Sequence, residues 1–365
     1  MELARYLERL EAVISPDVEE AGVKLQEDAW AYLPVPRIPR IINLRDKVSK
    51  ERKGEADWPV FTYSEVFADP GCMLLDELED IYVGALVGDD KAYTIRANYG
   101  VGIIPSVFGC QVHTGGSNDL PWVEPLTDET ALRRLLGRGV PNLDQGLLAR
   151  ATETEQFFQE ALAPYPKLSQ AVHIAQADMQ GPLNIASEIM GPAIYTAIYD
   201  DPAMVHDLLD LTTETFIAAT RQQKGVIGEE MNRAYHWHLR TYGGARISED
   251  FGLSLSPKHY EEFAVPYNAR CWAAFGGGYL LHADAGLPAI EAILATPGIT
   301  GIYRWTEDAS DFDRIWPLAS ARRICLIWNG PLPDGWEQRA PTGLILESVV
   351  QCVEQGKQHL RAARS

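Results

Sequence analysis

Apolar strand-like runs alternate with helical patterns along most of the chain, and this alternation restricts the fold more than any other feature. Strands are read at Arg37–Leu44, Ala92–Asn98, Ala171–Asp178, Arg233–His238, Gly278–Asp284, Gly301–Trp305 and Ile324–Asn329, with a further short one at Ala245–Glu249. Each is followed by a Gly/Pro-rich or polar turn and then, usually, by a helix. That βαβα order implies parallel strands and an α/β architecture.

Helix ends are written into the sequence. Asp201 before Pro202 reads as N-cap and N1, and Val205, Leu208, Leu209, Thr212 and Phe216 then form one mostly apolar face. Thr152 with Glu155 fits a capping box. Ser256–Pro257 starts a helix that Pro266 ends or kinks. A last helix is expected from Thr342 to Gln355, with Gly356 as its C-cap. Residues 45–57 are a charged run and read as a solvated loop. Without repeats, low-complexity blocks or Ser/Gly linkers, one barrel domain over 1–365 is expected, with a helical N-terminal extension over about 1–30.

The formal net charge is −19, which argues against nucleic acid and anionic membrane surfaces as partners, because both need a dense cationic face. Apolar residues make up 46% of the 365, enough for a sizeable core. The opening MELARYLERLEAVI reads as an amphipathic helix rather than a signal peptide. No stretch reaches the roughly 18 apolar residues of a membrane span. The cysteines Cys72, Cys110, Cys271, Cys325 and Cys352 are odd in number, far apart and outside any CxxC. A reduced, cytoplasmic chain is therefore expected.

In parallel α/β barrels chemistry gathers at the C-terminal ends of the strands. The polar residues expected there are Arg96 and Asn98; Gln176, Asp178 and Gln180; His236 and His238; Glu249 and Asp250; His282 and Asp284; Arg304; and Asn329. His282 and Asp284, two apart, share a strand face, where imidazole and carboxylate ligate a divalent metal, share a proton, or simply shape the loop. His236 and His238 repeat that spacing, as further metal ligands, as an anion site, or as one pocket residue and one packed beside Trp237. Arg96 suits a carboxylate, or else pairs with a local acid. Asp178 serves as an acid/base, as a ligand-binding carboxylate, or as the cap of the helix near Pro182. Asn98, Gln176, Gln180, Arg304 and Asn329 complete a substrate-binding set. Gly276–Gly278 precedes a strand, so it reads as a turn and not a phosphate loop.

Three segments carry a family likeness: QADMQGPLNIASEIMGPAIYTAIYDDPAMVHDLLDLTTETF, ISEDFGLSLSPKHYEEFAVPYNARCWAAFGGGYLLHADAG and ICLIWNGPLPDG. With DDKAYTIRANYGVGIIPSVFGCQV they make residues 58 to 356 resemble the uroporphyrinogen decarboxylase and corrinoid methyltransferase superfamily. The resemblance implies a distorted TIM (β/α)8-type barrel. Its decarboxylases carry an Arg-rich MRQAGRY segment where this chain has VPRIPRIINLR, with Arg37 and Arg40 as loose analogues. Its methyltransferases hold zinc with a His-x-Cys pair and a later cysteine on a final strand. Here His282 matches, Asp284 stands at the first cysteine, and the end GKQHLRAARS lacks the final strand.

The resemblance therefore implies a methyltransferase-like enzyme acting on a small molecule. It would use an N/O-ligated metal, with zinc the candidate, and a corrinoid carried by a partner protein. Alternatives are a cofactor-independent decarboxylase or lyase, with Arg96 orienting a carboxylate and Asp178 handling a proton, and a non-catalytic small-molecule-binding barrel. A homodimer is compatible with each.

Overall fold

The computed structural model describes residues 3–44, 58–116, 119–281 and 289–364. The charged run 45–57, His282 and Asp284 lie outside them. Among the described residues the strands are β1 (Arg40–Leu44), β2 (Thr94–Arg96), β3 (Gln111–His113), β4 (Trp122–Glu124), β5 (His173–Ala175), β6 (Arg233–His236), β7 (Leu239–Tyr242), β8 (Ala245–Ser248), β9 (Gly278–Leu281), β10 (Ile299–Trp305), β11 (Cys325–Asn329) and β12 (Leu344–Val350). Six form a sheet in the order β1-β12-β11-β10-β9-β8, and every pairing in it is parallel. β2 and β5 form a separate parallel pair. β3–β4 and β6–β7 are antiparallel hairpins. The fold is α/β, with helices packed on the sheet.

Strand alternation divides the sheet's two faces. Ile247, Leu280, Ile302, Leu326, Trp328, Leu344 and Leu346 join the large core under the helices. Ile41, Tyr279, Tyr303, Cys325, Ile327 and Ile345 point the other way, against Leu239 of the β6–β7 hairpin and Trp30 of the helix Pro16–Trp30. Each such fully buried apolar side chain stabilises the fold by about 1.5–3 kcal/mol in transfer terms. Strands buried on both faces read as near-continuous apolar runs, which is why β9 and β11 stand out in the sequence.

Several expected ends are present. The Asp201 side chain accepts from the Met204 N–H and caps the 26-residue helix Pro202–Ile227, whose Val205, Leu208, Leu209, Thr212 and Phe216 are all buried. Ser256 caps Pro257–Phe263, and the chain breaks before the next helix, Val265–Ala274, which carries Pro266 in its first turn. The Thr152–Glu155 capping box is not formed. Both residues lie inside the helix Gly146–Leu162, where Thr152 Oγ1 donates to the Leu148 carbonyl. The reciprocal box is instead Thr62 with Glu65.

Two larger corrections concern the C-terminal and central segments. Residues 344–350 are strand β12, not part of the helix expected from Thr342 to Gln355. The run LILESVV is rich in β-branched residues and fits between β1 and β11, where its Leu-Ile-Leu segment is buried on both faces. The last helix is Val353–Arg364, with Gly356 inside it and close to Ile42 and Val87. Arg233–His238, read as a strand of a parallel sheet, forms only Arg233–His236, one arm of an antiparallel hairpin, with Trp237 and His238 at its tip. The sheet strand is the short Ala245–Ser248.

That hairpin is tied to the N-terminal helix Pro16–Trp30. Gln26, fully buried, donates to the carbonyls of Asp90 and His238 at 2.6 and 2.9 Å and accepts from the Arg240 N–H at 3.0 Å. At the corner after β7, Gly243 has φ +84° and a Cβ there would sit 2.0 Å from the Gly277 carbonyl carbon. Only glycine lets the hairpin turn this tightly into β8. Among the described residues no helix is long and apolar enough to cross a membrane.

Candidate functional site

An ion cluster joins the β2–β5 pair to β8. Asp178, in the loop after β5, lies 2.7 Å from Arg246 Nη2 and 3.3 Å from Arg96 Nη1. Arg246 also donates to Ser248 Oγ at 2.6 Å. Gln180, with φ +59°, donates to Asp178 Oδ1 at 2.7 Å, and Asn184 donates on to Gln180 at 2.9 Å. Gly181 permits this approach, since a Cβ there would stand 2.5 Å from Ile247 Cγ2. Burial pushes the Asp178 carboxyl up, but Arg246 and then Arg96 outweigh it, leaving the pKa below the ordinary value. Asp178 is thus a fixed anion. It does not cap the helix Pro182–Met190, whose N-cap is Gly181.

The hairpin tip stands beside this cluster. His236 pairs with Leu239, so Trp237 and His238 form a two-residue turn. Their φ values are +45° and +64°, a conformation usually given to Asn-Gly. Side chains in two successive left-handed positions are strained, and such strain collects at functional sites. Anchors hold it: the His238 N–H donates to Thr94 Oγ1 at 2.9 Å, and its carbonyl accepts from the Ala92 N–H at 3.0 Å. Trp237 remains 40% exposed, stacked on His236 with Arg96 5.7 Å from its ring centre.

His236 is buried and its Nδ1 is hydrogen-bonded to the Tyr279 hydroxyl, while Nε2 has no hydrogen-bond partner. Burial, then Arg246, Arg96 and His238, hold its pKa well below the ordinary value, so the ring is neutral. His238 lies with Nε2 3.8 Å from Asp80, and its Nδ1 is unpartnered.

Between these groups is a cavity of about 340 Å³, within the size range of small-molecule sites. Its walls include Glu77, Asp80, Arg96, Asn98, Trp237 and Glu347. Glu77 accepts from the Arg96 N–H at 3.2 Å and from Asn98 at 3.3 Å. Glu347, in the middle of β12, accepts from Asn43 at 2.8 Å and Asn329 at 3.2 Å, and Asn329 also donates to the Tyr303 hydroxyl. Burial raises the Glu347 pKa; Asn43, Lys91, Tyr303 and Asn329 oppose it without cancelling it.

Of the expected site residues, Arg96, Asp178 and Gln180 meet directly, Asn98 and His238 line the adjoining cavity, and His236 lies beside them. Asn329 reaches the cavity wall through Glu347. Glu249, which accepts from Tyr260 and Asn268, and Asp250 are not in the cavity wall, and two more expected residues lie elsewhere. Gln176 donates to Glu229, which is paired with Lys224 at 2.6 Å. Arg304 pairs with buried Asp311 on the helix side of β10, because alternation turns Tyr303 towards the hairpin. Sequence reasoning missed Arg246, Trp237, Glu77, Asp80 and Glu347. A lone arginine in the apolar run of β8 was the available signal for Arg246.

Among the described residues no group of three or more His, Cys, Asp and Glu is arranged to hold a metal ion. His236 has Nδ1 bonded to Tyr279 and Nε2 without a hydrogen-bond partner, with the charges of Arg246 and Arg96 acting on it. Cys325 is fully buried within β11, its thiol raised far above the ordinary value by burial. No family model and no curated protein matches the chain.

Proposed function

We propose that this chain is a methyltransferase-like enzyme of the uroporphyrinogen decarboxylase and corrinoid methyltransferase superfamily, acting on a small molecule in the cavity beside Trp237. The observation that carries the enzymatic reading is the Arg96–Asp178–Arg246 cluster beside a strained turn at the C-terminal ends of parallel strands. A barrel accounts for the strands. β1 pairs with β12, and β6 packs against both β5 and β8, so the β2–β5 pair would complete a (β/α)8-type ring of eight parallel strands. β12 would stand as the last strand of such a barrel, without the family's cysteine, and carries Glu347, which lines the cavity.

Methyl transfer rests on the sequence resemblance. His282 and Asp284, which the resemblance offers as zinc ligands, are outside the described residues. Within the described site, Asp178 is an electrostatic anchor, Arg96 a substrate-orienting cation and Trp237 an apolar wall. A carboxylate-substrate lyase is the second reading, favoured by the Arg96 guanidinium facing the cavity. In that reading Asp178, held ionised by two arginines, would enter as a weak base and not as a proton donor.

The test is to incubate the protein with N- and O-methylated small molecules and reduced cobalamin, and to follow methylcobalamin spectroscopically. Methyl transfer lost in His282→Ala supports the proposal. Release of carbon dioxide from a carboxylic acid, with no methyl transfer from any donor, replaces it by the lyase reading.

A further inference from the structure

The cavity is divided in charge. Asp178 is neutralised chiefly by Arg246, at 2.7 Å against 3.3 Å for Arg96. Arg246 makes two short hydrogen bonds, to Asp178 at 2.7 Å and Ser248 at 2.6 Å, and does not line the cavity. Arg96 does line it, and among the described residues its guanidinium makes one longer hydrogen bond, to Asp178. Its remaining N–H groups suit a carboxylate, which a guanidinium grips with two parallel bonds.

The rest of the wall is acidic. Glu77, Asp80 and Glu347 line the same cavity, and neither Glu77 nor Glu347 forms an ion pair with a described cation. A ligand bearing only a carboxylate would satisfy Arg96 and face these three acids. One bearing only a positive charge would satisfy the acids and face Arg96. His238 stands on the same wall, with Nε2 3.8 Å from Asp80. Between the charged groups lies the exposed part of Trp237, an apolar surface suited to methyl or methylene groups.

We infer that the cavity beside Trp237 binds a small zwitterion, with its carboxylate on Arg96 and its ammonium, methylated or not, facing Glu77 and Asp80. This deepens the proposed function by naming the substrate class, and it rests on that reading only in taking the cavity as the active site.

Three nearly isosteric probes test it by calorimetric titration of the full chain. Glycine betaine carries both charges, 3,3-dimethylbutanoate only the carboxylate, and propyltrimethylammonium only the cation. Betaine is expected to bind at least about tenfold tighter than either, a factor equal to about 1.4 kcal/mol. Glu77→Gln should narrow the gap between betaine and 3,3-dimethylbutanoate. Arg96→Met should narrow the gap between betaine and propyltrimethylammonium. Asp80→Asn, which leaves the Arg96–Asp178 pair intact, is the second acidic variant should Glu77→Gln fail to fold. Equal affinity for all three probes, preference for a singly charged one, or no binding of betaine overturns the inference. Charge-selective binding without methyl transfer upholds the zwitterion site and removes the methyltransferase reading. Methyl transfer from a donor lacking one of the charges does the reverse.

Discussion

Arg246 Nη2 lies 2.7 Å from Asp178 Oδ1, joining the edge strand β8 to the loop that follows β5. Both groups are largely shielded from water, so removing Arg246 leaves Asp178 only its longer contact to Arg96. Arg246→Met should cost about 3–5 kcal/mol in urea unfolding at pH 7. Adding Asp178→Asn in that background should recover most of the loss. A single variant as stable as the parent would show that the pair contributes nothing to holding the site.

The Trp237–His238 turn makes a comparison possible that does not depend on lost side-chain contacts. At φ +64° an alanine carries the left-handed penalty and a glycine does not. His238→Gly should therefore be more stable than His238→Ala by about 1 kcal/mol. The opposite order, as in a helix interior, would mean that the turn is not left-handed in solution. Thermal unfolding of the two variants side by side decides it.

Two buried carboxyls near the cluster set a pH dependence. Burial, helped by the charges of Asp178 and Asp250, pushes Glu188 up to about 8. Burial pushes Glu249 up to about 7, although Tyr260 and Asn268 donate to it at 2.7 and 2.8 Å. The folded chain thus keeps protons that the unfolded chain has released above about pH 4.5. Stability should fall as pH rises from about 4.5 to 8. In Glu188→Gln that decline should be shallower, by on the order of a few kcal/mol across the window. Identical unfolding midpoints for parent and variant at pH 5 and pH 8 would contradict this.

Thiol reactivity should separate the five cysteines. Cys110, Cys271 and Cys325 are buried and burial raises all three thiols, Cys110 to about 12. Cys72 and Cys352 are partly exposed. A disulfide-exchange reagent should modify Cys72 and Cys352 in the native protein and the other three only after unfolding. Peptide mapping after brief labelling reads this directly, and early labelling of Cys325 would show an open sheet interior. Cys325→Ser should leave any metal content of the protein unchanged.

Most strand positions are legible because strands buried on both faces produce unbroken apolar runs, as in ICLIWN and GYLL. The hairpin is not, because its turn is Trp-His. Nothing about those residue types announces a left-handed pair, and only the surrounding anchors hold them there. β12 is misread because Glu347, a carboxylate in an apolar run, resembles the polar side of a helix until Asn43 and Asn329 are seen to satisfy it. Arg96 and Asp178 are legible as strand-end polar residues. Glu77 and Asp80 are not, since they reach the cavity from the helix Pro70–Val87 and no sequence periodicity points across an element boundary.

The pairing of β1 with β12 sets Arg40 opposite Leu346, about three hundred residues apart. On a ribosome making 5–20 residues per second, β1 emerges early and waits several tens of seconds for its neighbour. Until residue 350 has left the exit tunnel, one long side of β1 and one of β11 stay unpaired, and such strand edges invite pairing with other chains. Long-range closure of this kind slows folding as well. Yield of soluble protein should therefore respond to translation speed and chaperone supply more sharply than the equilibrium stability of the finished chain suggests.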